Sequence, residues 1–285
     1  MSDSSQTPYL SVITTVLNDL DGLKLTIDSV RSQDIGLEHV IIDGGSSSEL
    51  INFLASFESK PKKFVWTSGR DQGIYDGMNK GLELATGDVV VFLNAGDEFS
   101  NPNVVRSVME SFCKSDWEWA AGIAVRRSQS GEFLSTWEYM KADLGGLALG
   151  IYTFCHQAVF YSRPLLDRIG PYKIDNFAAD HLLNIKACKS SVPRILPWVT
   201  TYFYNGGASS AKPFRAYRKD LRKIRIEENL LIRNSKFIDL IFSFIIITCI
   251  YAAGGFGIIA KFPGRWVNFS NTYRLNRIIR QKEAD

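Results

Sequence analysis

Cysteine is sparse: this 285-residue chain has four, at positions 113, 155, 188 and 249, and no two stand at metal-binding or redox spacing. Residues 1–8 form a short polar stretch that does not resemble a signal peptide, so no secretory leader is expected. Together these absences predict reduced thiols in the cytosol. No internal repeat and no low-complexity tract interrupts the chain. The loop after the first apolar run, which ends at Val16, holds a single glycine, Gly22. That argues against a dinucleotide-binding Rossmann domain, in which a glycine triplet packs a pyrophosphate onto a helix N-terminus. No glycine-rich basic loop follows that run either, which discourages a nucleotidyltransferase.

What is present is an ordinary globular composition, 45% hydrophobic and 22% charged, enough for one generous core or a core plus an appendage. The formal charge of +3 is unevenly spread: residues 212–285 carry 15 Lys and Arg against 6 Asp and Glu, a net +9, which leaves −6 for the body.

Short β-branched or apolar runs at 10–16, 39–42, 64–66 and 89–93 read as strands, and amphipathic stretches at 23–32, 49–58 and 74–85 read as helices between them. This alternation predicts right-handed crossovers and a mostly parallel sheet flanked by helices. Beyond residue 103 the pattern predicts a helix to about 113, a hairpin over 120–137 and a glycine-containing loop at 145–150. A strand at 154–161, helices at 163–169 and from about 179, and one or two edge strands within 195–204 complete the body.

The most informative stretch is 87–98. Five apolar residues, Val89 to Leu93, read as a strand buried on both faces, and Asn94, Ala95, Gly96 and Asp97 follow at its carboxyl end. Asn18, Asp43 and Asp71 fall at the same edge, where open α/β sheets collect ligands. Gly96 lets the backbone turn sharply and approach a ligand, and an aspartate there suits a divalent cation bridging to a nucleotide diphosphate. The same four residues serve equally as a turn capping the next helix.

Residues 10–18, Asp-Gly-Gly-Ser at 43–46, Asp-Gln-Gly-Ile-Tyr-Asp-Gly-Met-Asn-Lys-Gly at 71–81, Gly87-Asp88, Phe-Leu-Asn-Ala-Gly-Asp at 92–97 and Cys-His-Gln-Ala-Val at 155–159 resemble, in order and spacing, the family-2 glycosyltransferases, especially those of bacterial surface-polysaccharide pathways. The resemblance runs from about residue 9 to 210. It implies the A-type nucleotide-diphospho-sugar transferase fold, an inverting transfer and Mg²⁺ or Mn²⁺ as cofactor.

By position, Asp43 matches the carboxylate that holds the nucleotide base, and Asp71 the one lining the base and ribose pocket. Asn18, Lys80 and Asn94 fall among the donor contacts, while His156 and Gln157 face the sugar or the diphosphate. Asp97 matches the metal-contacting acid of an Asp-x-Asp element, but Asn94 and Gly96 stand where many relatives carry acids. Asp180 matches the catalytic base, although a second acid two residues on is here Leu182. The residues alone leave other readings open: solvated turn aspartates at 43 and 71, a helix cap at 180, a satisfied core histidine at 156. Residues 204–210 resemble a glycine-rich loop closing over the donor.

Residues 212–236 hold nine bases and three acids with apolar side chains at helical spacing, which predicts a basic amphipathic helix. Residues 240–260 then run without a charge for about the length that crosses a bilayer, though Gly254, Gly255 and Gly257 favour monotopic attachment over a span. A buried core helix is the remaining choice. The expected organisation is a catalytic domain over 1–211, with a nucleotide-sugar-binding half at 9–103 and an acceptor half at 104–211, and a helical tail over 212–285. The expected function is transfer of a hexose or N-acetylhexosamine from a nucleotide diphosphate donor, a UDP-sugar first among them, to a lipid-linked or oligosaccharide acceptor. Residues 212–265 would hold it at the cytoplasmic face of the cell membrane, with no nucleic acid as partner. The alternative is a non-catalytic relative that binds nucleotide sugar or a partner enzyme.

Overall fold

The computed structural model describes residues 8–57, 63–138, 144–176, 178–204 and 214–255. Its first half alternates strictly: β1 (Leu10–Val16), α1 (Leu20–Arg31), β2 (Glu38–Asp43), α2 (Ser48–Ala55), β3 (Lys63–Ser68), α3 (Ile74–Leu84) and β4 (Val89–Phe92). The second half adds β5 (Glu98–Phe99), α4 (Val104–Ser115), the hairpin β6 (Trp119–Arg127) and β7 (Phe133–Trp137), and α5 (Leu144–Ala148). A 3₁₀ turn (His156–Ala158), β8 (Val159–Ser162), α6 (Arg163–Ile169), α7 (Ala179–Ser190) and β9 (Arg194–Tyr204) follow. The tail contributes α8 (Phe214–Glu227) and α9 (Lys236–Gly255).

One sheet runs in the order β3-β2-β1-β4-β8-β6-β9-β5, with β7 paired to β6. The four leading strands are parallel, as the alternation predicts. β8 runs antiparallel to both β4 and β6, β9 is parallel to β6, and β5 is antiparallel to β9, so the whole sheet is mixed. Both faces are covered. Ile13, Val90 and Phe92 pack with Met78 of α3 and Leu182 and Leu183 of α7, whereas Val12, Val89 and Val91 pack with Val104, Val105 and Val108 of α4. Successive side chains point to opposite faces of a strand, so burial of both faces explains the unbroken apolar runs. Gly81 lets α3 lie close on β1, because a Cβ there would come within 2.3 Å of Ile13 Cγ2.

β2 lies on one side of β1 and β4 on the other. That makes a topological switch point, with a crevice outside the carboxyl ends of the two central strands.

Two segments differ from the pattern read in the sequence. The strand expected over 154–161 starts only at Val159, because residues 156–158 wind into the 3₁₀ turn, and the glycine-containing stretch at 145–150 opens with α5. The tail is also docked: Leu221 and Ile224 of α8 are buried, Ile224 within the main core cluster. Packing therefore continues across the boundary expected at 212, and the apolar face of α8 meets the body. Of the stretch 204–210, expected to close over the donor, only Tyr204 is described, as the end of β9; residues 205–210 and everything after 255 lie outside the described residues.

A buried ion pair fixes the docking. Arg225, 1% exposed, reaches Asp239, 0% exposed, through Nε to Oδ1 at 2.9 Å and Nη2 to Oδ2 at 3.0 Å. Its Nη1 donates to the Ala148 carbonyl of α5 at 3.2 Å. Removing one member of such a pair strands the other charge in the core, which typically costs about 3–5 kcal/mol. Asp239→Ala is therefore expected to destabilise the chain by that order in chemical denaturation, and Arg225→Met combined with Asp239→Leu to recover most of it. Equal stability of Asp239→Ala and the parent contradicts the clamp.

Candidate active site

Four loops meet at the carboxyl edge, those after β1, β2, β3 and β4. Asn18, exposed and in the left-handed region at φ 53, donates its backbone N–H to Ser46 Oγ at 2.7 Å and accepts from the Ser47 N–H at 3.0 Å. The loop after β1 is thereby tied to the loop after β2. Asp43 is fully buried, and its carboxylate accepts from the N–H groups of Gly45 and Ser46 and from Ser68 Oγ at 2.6 Å. It shapes the turn from within. Asp71 accepts from the Gly73 N–H at 3.0 Å, and a Cβ on Gly44 would come within 2.7 Å of Asp71 Oδ2. Lys80 pairs with Asp76 at 2.9 Å and donates to the Arg70 carbonyl at 3.3 Å, bracing α3 against the Asp71 loop.

The loop after β4 is laced to α1. Thr26 Oγ1 donates to the Asp97 carbonyl at 2.7 Å, the Gly96 N–H donates to the Gly22 carbonyl at 3.0 Å, and Asn94 Oδ1 accepts from Thr15 Oγ1 at 2.8 Å. Gly96 has φ 92, the left-handed conformation its position calls for. The Asp97 side chain turns inward and is only 7% exposed. It accepts from Gln157 Nε2 at 2.9 Å and from the backbone N–H of Tyr204, the last residue of β9. Burial, with the charge of Asp19 beside it, pushes its carboxyl up to about 7 against these hydrogen bonds.

Among the described residues no group of three His, Cys, Asp or Glu side chains stands ready to hold a metal ion, and Asp97 has no cationic partner. A desolvated carboxylate facing a second one is nevertheless the setting a hard cation relieves. Mg²⁺ or Mn²⁺ needs only one or two carboxylates when phosphates and waters complete its shell. Asp97, with the charge of Asp19 nearby, is the carboxylate at this edge that such an ion could use.

The 3₁₀ turn carries His156 and Gln157 into the same region. Gln157 binds Asp97 directly. His156 is buried, stacks on Phe92 at 5.6 Å, meets Tyr172 Oη through Nδ1 at 3.3 Å, and leaves Nε2 without a partner among the described residues. Burial holds its imidazole neutral, against the pull of Asp180. A buried ring nitrogen left unsatisfied is costly, so His156 is not the fully satisfied core histidine that the residues alone also allowed.

Asp180 sits in the first turn of α7, but the helix is capped at Ala178 without a side-chain hydrogen bond. Its carboxylate is therefore not the cap. Oδ1 instead accepts from Tyr75 Oη of α3 at 3.0 Å, and Oδ2 has no hydrogen-bond partner among the described residues. Next to it, His181 ties α7 to Thr153 at 2.9 Å and to the Leu147 carbonyl at 2.8 Å. The Cys155 thiol is pushed up by burial and then by the charges of Asp97 and Asp180, so both acids bear on one short segment. Tyr75, Tyr172 and Asp19 were not singled out by the sequence. Tyr75 lies inside the distinctive 71–81 block, and Asp19 in a loop that reads as merely polar.

The model of glycosyl transferase family 2 matches residues 11–170. An uncharacterized glycosyltransferase of Mycobacterium tuberculosis is 32% identical over 234 residues, 76% of this chain and 83% of that protein. A PGL/p-HBAD biosynthesis glycosyltransferase of Mycobacterium bovis is 30% identical over 222 residues, 75% and 84% of the two chains. Among solved structures, S. aureus TarS in complex with UDP-GlcNAc is similar with a TM-score of 0.61 at 16% identity, over 77% of this chain and 66% of that one. The mannosyltransferase PcManGT from Pyrobaculum calidifontis, in complex with GDP-Man and Mn²⁺, is similar with a TM-score of 0.54 at 16% identity, over 99% and 82%. The shared fold is the A-type nucleotide-diphospho-sugar transferase fold. With the family model covering more than half of its length, and relatives at 30% identity or above along three quarters of it, this chain belongs to glycosyl transferase family 2.

Proposed function

We propose that this glycosyltransferase moves a sugar, with inversion, from a nucleotide diphosphate donor to a hydroxyl of a lipid-linked or oligosaccharide acceptor in surface polysaccharide or glycolipid synthesis. The observation that carries the reading is a pair of carboxylates in opposite settings: Asp97, buried at the switch point, and Asp180, half-buried and, among the described residues, hydrogen-bonded through one oxygen. Ligands of similar proteins support a nucleotide-sugar donor: UDP-GlcNAc on TarS, and GDP-Man with Mn²⁺ on the mannosyltransferase. A UDP-sugar is the first candidate. The name of the M. bovis relative supports a glycolipid acceptor.

In this reading the loops after β2 and β3 receive the nucleotide, with Asp71 toward base and ribose and Asp43 shaping the wall. Asn18 and Lys80 brace those loops, and Asn94, His156 and Gln157 face the diphosphate or the sugar. A Mg²⁺ or Mn²⁺ held by Asp97 would neutralise charge on the departing diphosphate. Asp180 Oδ2 takes the proton of the acceptor hydroxyl as its oxygen attacks the anomeric carbon from behind. The bond to the diphosphate breaks with its electron pair, leaving nucleoside diphosphate and an inverted glycoside.

Membrane contact belongs to the same reading. The contact in this reading is with a membrane surface at the cytoplasmic face; among the described residues no helix is long and apolar enough to cross a membrane. The first turns of α9 support it, with Phe237 72%, Phe242 51% and Phe244 54% exposed beside Leu240, Ile241 and Ile245.

The two aspartates are expected to separate binding from turnover. Asp97→Asn should lose the Mn²⁺-dependent part of thermal stabilisation by UDP. Because a ligand carboxyl must be deprotonated and this one sits at about 7, that stabilisation should be strong at pH 8 and weak at pH 6. Asp180→Asn should keep it and lose about 10²- to 10⁴-fold in turnover. Mn²⁺ stabilisation indifferent to Asp97→Asn or to pH removes the metal role, and undiminished turnover in Asp180→Asn removes the base.

Phe237, Ile241 and Phe244 share one face of α9 by helical spacing. Replacing all three by Glu is expected to abolish flotation with anionic liposomes shown by the parent. Equal flotation of the two proteins contradicts a contact through α9.

A further inference from the structure

We infer that Tyr75 is a positioning residue for the transfer: its hydroxyl fixes one oxygen of Asp180 and leaves the other to take the acceptor's proton. The inference rests on the reading of Asp180 as base. A carboxylate on a helix turn is free to rotate about its last torsion, and a base must present a lone pair in one direction. The Tyr75 hydroxyl donates to Oδ1 at 3.0 Å, across 105 residues of sequence, and among the described residues no other hydrogen bond holds the group. A hydrogen bond to a charged oxygen is of the stronger kind, enough to hold the plane of the carboxylate.

The donor is itself held. The Tyr75 ring stacks on Tyr172, centroids 5.4 Å apart at 24°. Tyr172 is buried, meets Phe92 of β4 edge to face at 5.0 Å, and contacts His156 Nδ1 through its hydroxyl. His156 in turn stacks on Phe92. The orientation of Asp180 is thus referred, through three aromatic rings and α3, to the central strand whose carboxyl end leads to Asp97. Asp180 is in no ion pair among the described residues, so nothing in the described structure neutralises the oxygen that Tyr75 leaves free. A tyrosine present for packing alone would need the ring and not the hydroxyl.

Tyr75→Phe keeps the ring and removes only the donor. Turnover is measured as nucleoside diphosphate release with Mn²⁺ and whichever of UDP-glucose, UDP-N-acetylglucosamine and GDP-mannose the parent uses. Loss of a hydrogen bond to a charged group corresponds to a fall in kcat of about 10- to 100-fold. KM for the donor and the melting temperature should stay near the parent's, since the contact serves the chemical step. Tyr75→Phe combined with Asp180→Asn should be no slower than Asp180→Asn alone, because a residue acting through Asp180 has nothing left to act on. A Tyr75→Phe enzyme with the parent's kcat overturns the proposal, as does a double variant slowed by the full product of the single effects. Undiminished turnover in Asp180→Asn alone overturns the base reading and the proposal with it, whereas the first two results leave the base reading standing.

Discussion

A hydrogen-bonded parallel pair, β1 and β4, sets the terms for everything else in this chain. Their neighbours lie on opposite sides, so no crossover covers their carboxyl ends, and both strands must hand the chain to loops at the same crevice. The loop after β4 cannot simply leave. Thr26 and Gly22 of α1 bind its backbone, which fixes where Asp97 points. The second half of the molecule joins from the far side, β8 against β4, and brings the His156–Ala158 turn directly under the loop. Gln157 then closes the contact with Asp97.

Asp97 and Asp180 sit in different physical surroundings, which is what the proposed division of tasks between them rests on. Asp97 is desolvated, close to the charge of Asp19 and without a cation, so its ionised form is disfavoured until a counter-charge arrives. A metal-bound diphosphate is such a counter-charge. Asp180 is more open, anchored on one oxygen by a phenol and uncapped by its own helix. The tail bears on the same side: Arg225 of α8 holds the end of α5 and the start of α9, while His181, beside Asp180, holds α5 from within. The exposed apolar surface of α9 and the start of α7, which carries Asp180, therefore share one support.

The parallel half of the fold was legible in the sequence because burial on both faces writes unbroken β-branched runs, and the intervening helices write a 3.6-residue stripe. Asn18, Asp43, Asp71 and Asp97 could be assigned to one edge for the same reason. What stayed hidden were contacts between distant residues. Nothing local marks Tyr75 as the partner of Asp180, or Arg225 as the partner of Asp239, and the Phe-Cys-His-Gln run at 154–157 reads as a strand although its middle turns. The stretch from Lys212 reads as a membrane-seeking helix because a basic amphipathic face looks alike whether it meets lipid or protein. Only the burial of Leu221 and Ile224 separates the two for α8. The departure at Asn94 and Gly96 was visible, but the proximity of Asp19, which bears on it, was not.

The central claim is geometric: donor diphosphate at Asp97, and Asp180 on the opposite face of the sugar. A crystal structure of the chain with Mn²⁺ and a non-transferable UDP-sugar analogue tests it most directly. The account predicts Mn²⁺ between Asp97 and the diphosphate, the nucleotide against the loops of Asp43 and Asp71, and Asp180 facing the anomeric carbon opposite the leaving oxygen. Nucleotide bound away from the β1–β4 crevice, or Asp180 on the same side as the diphosphate, would contradict it.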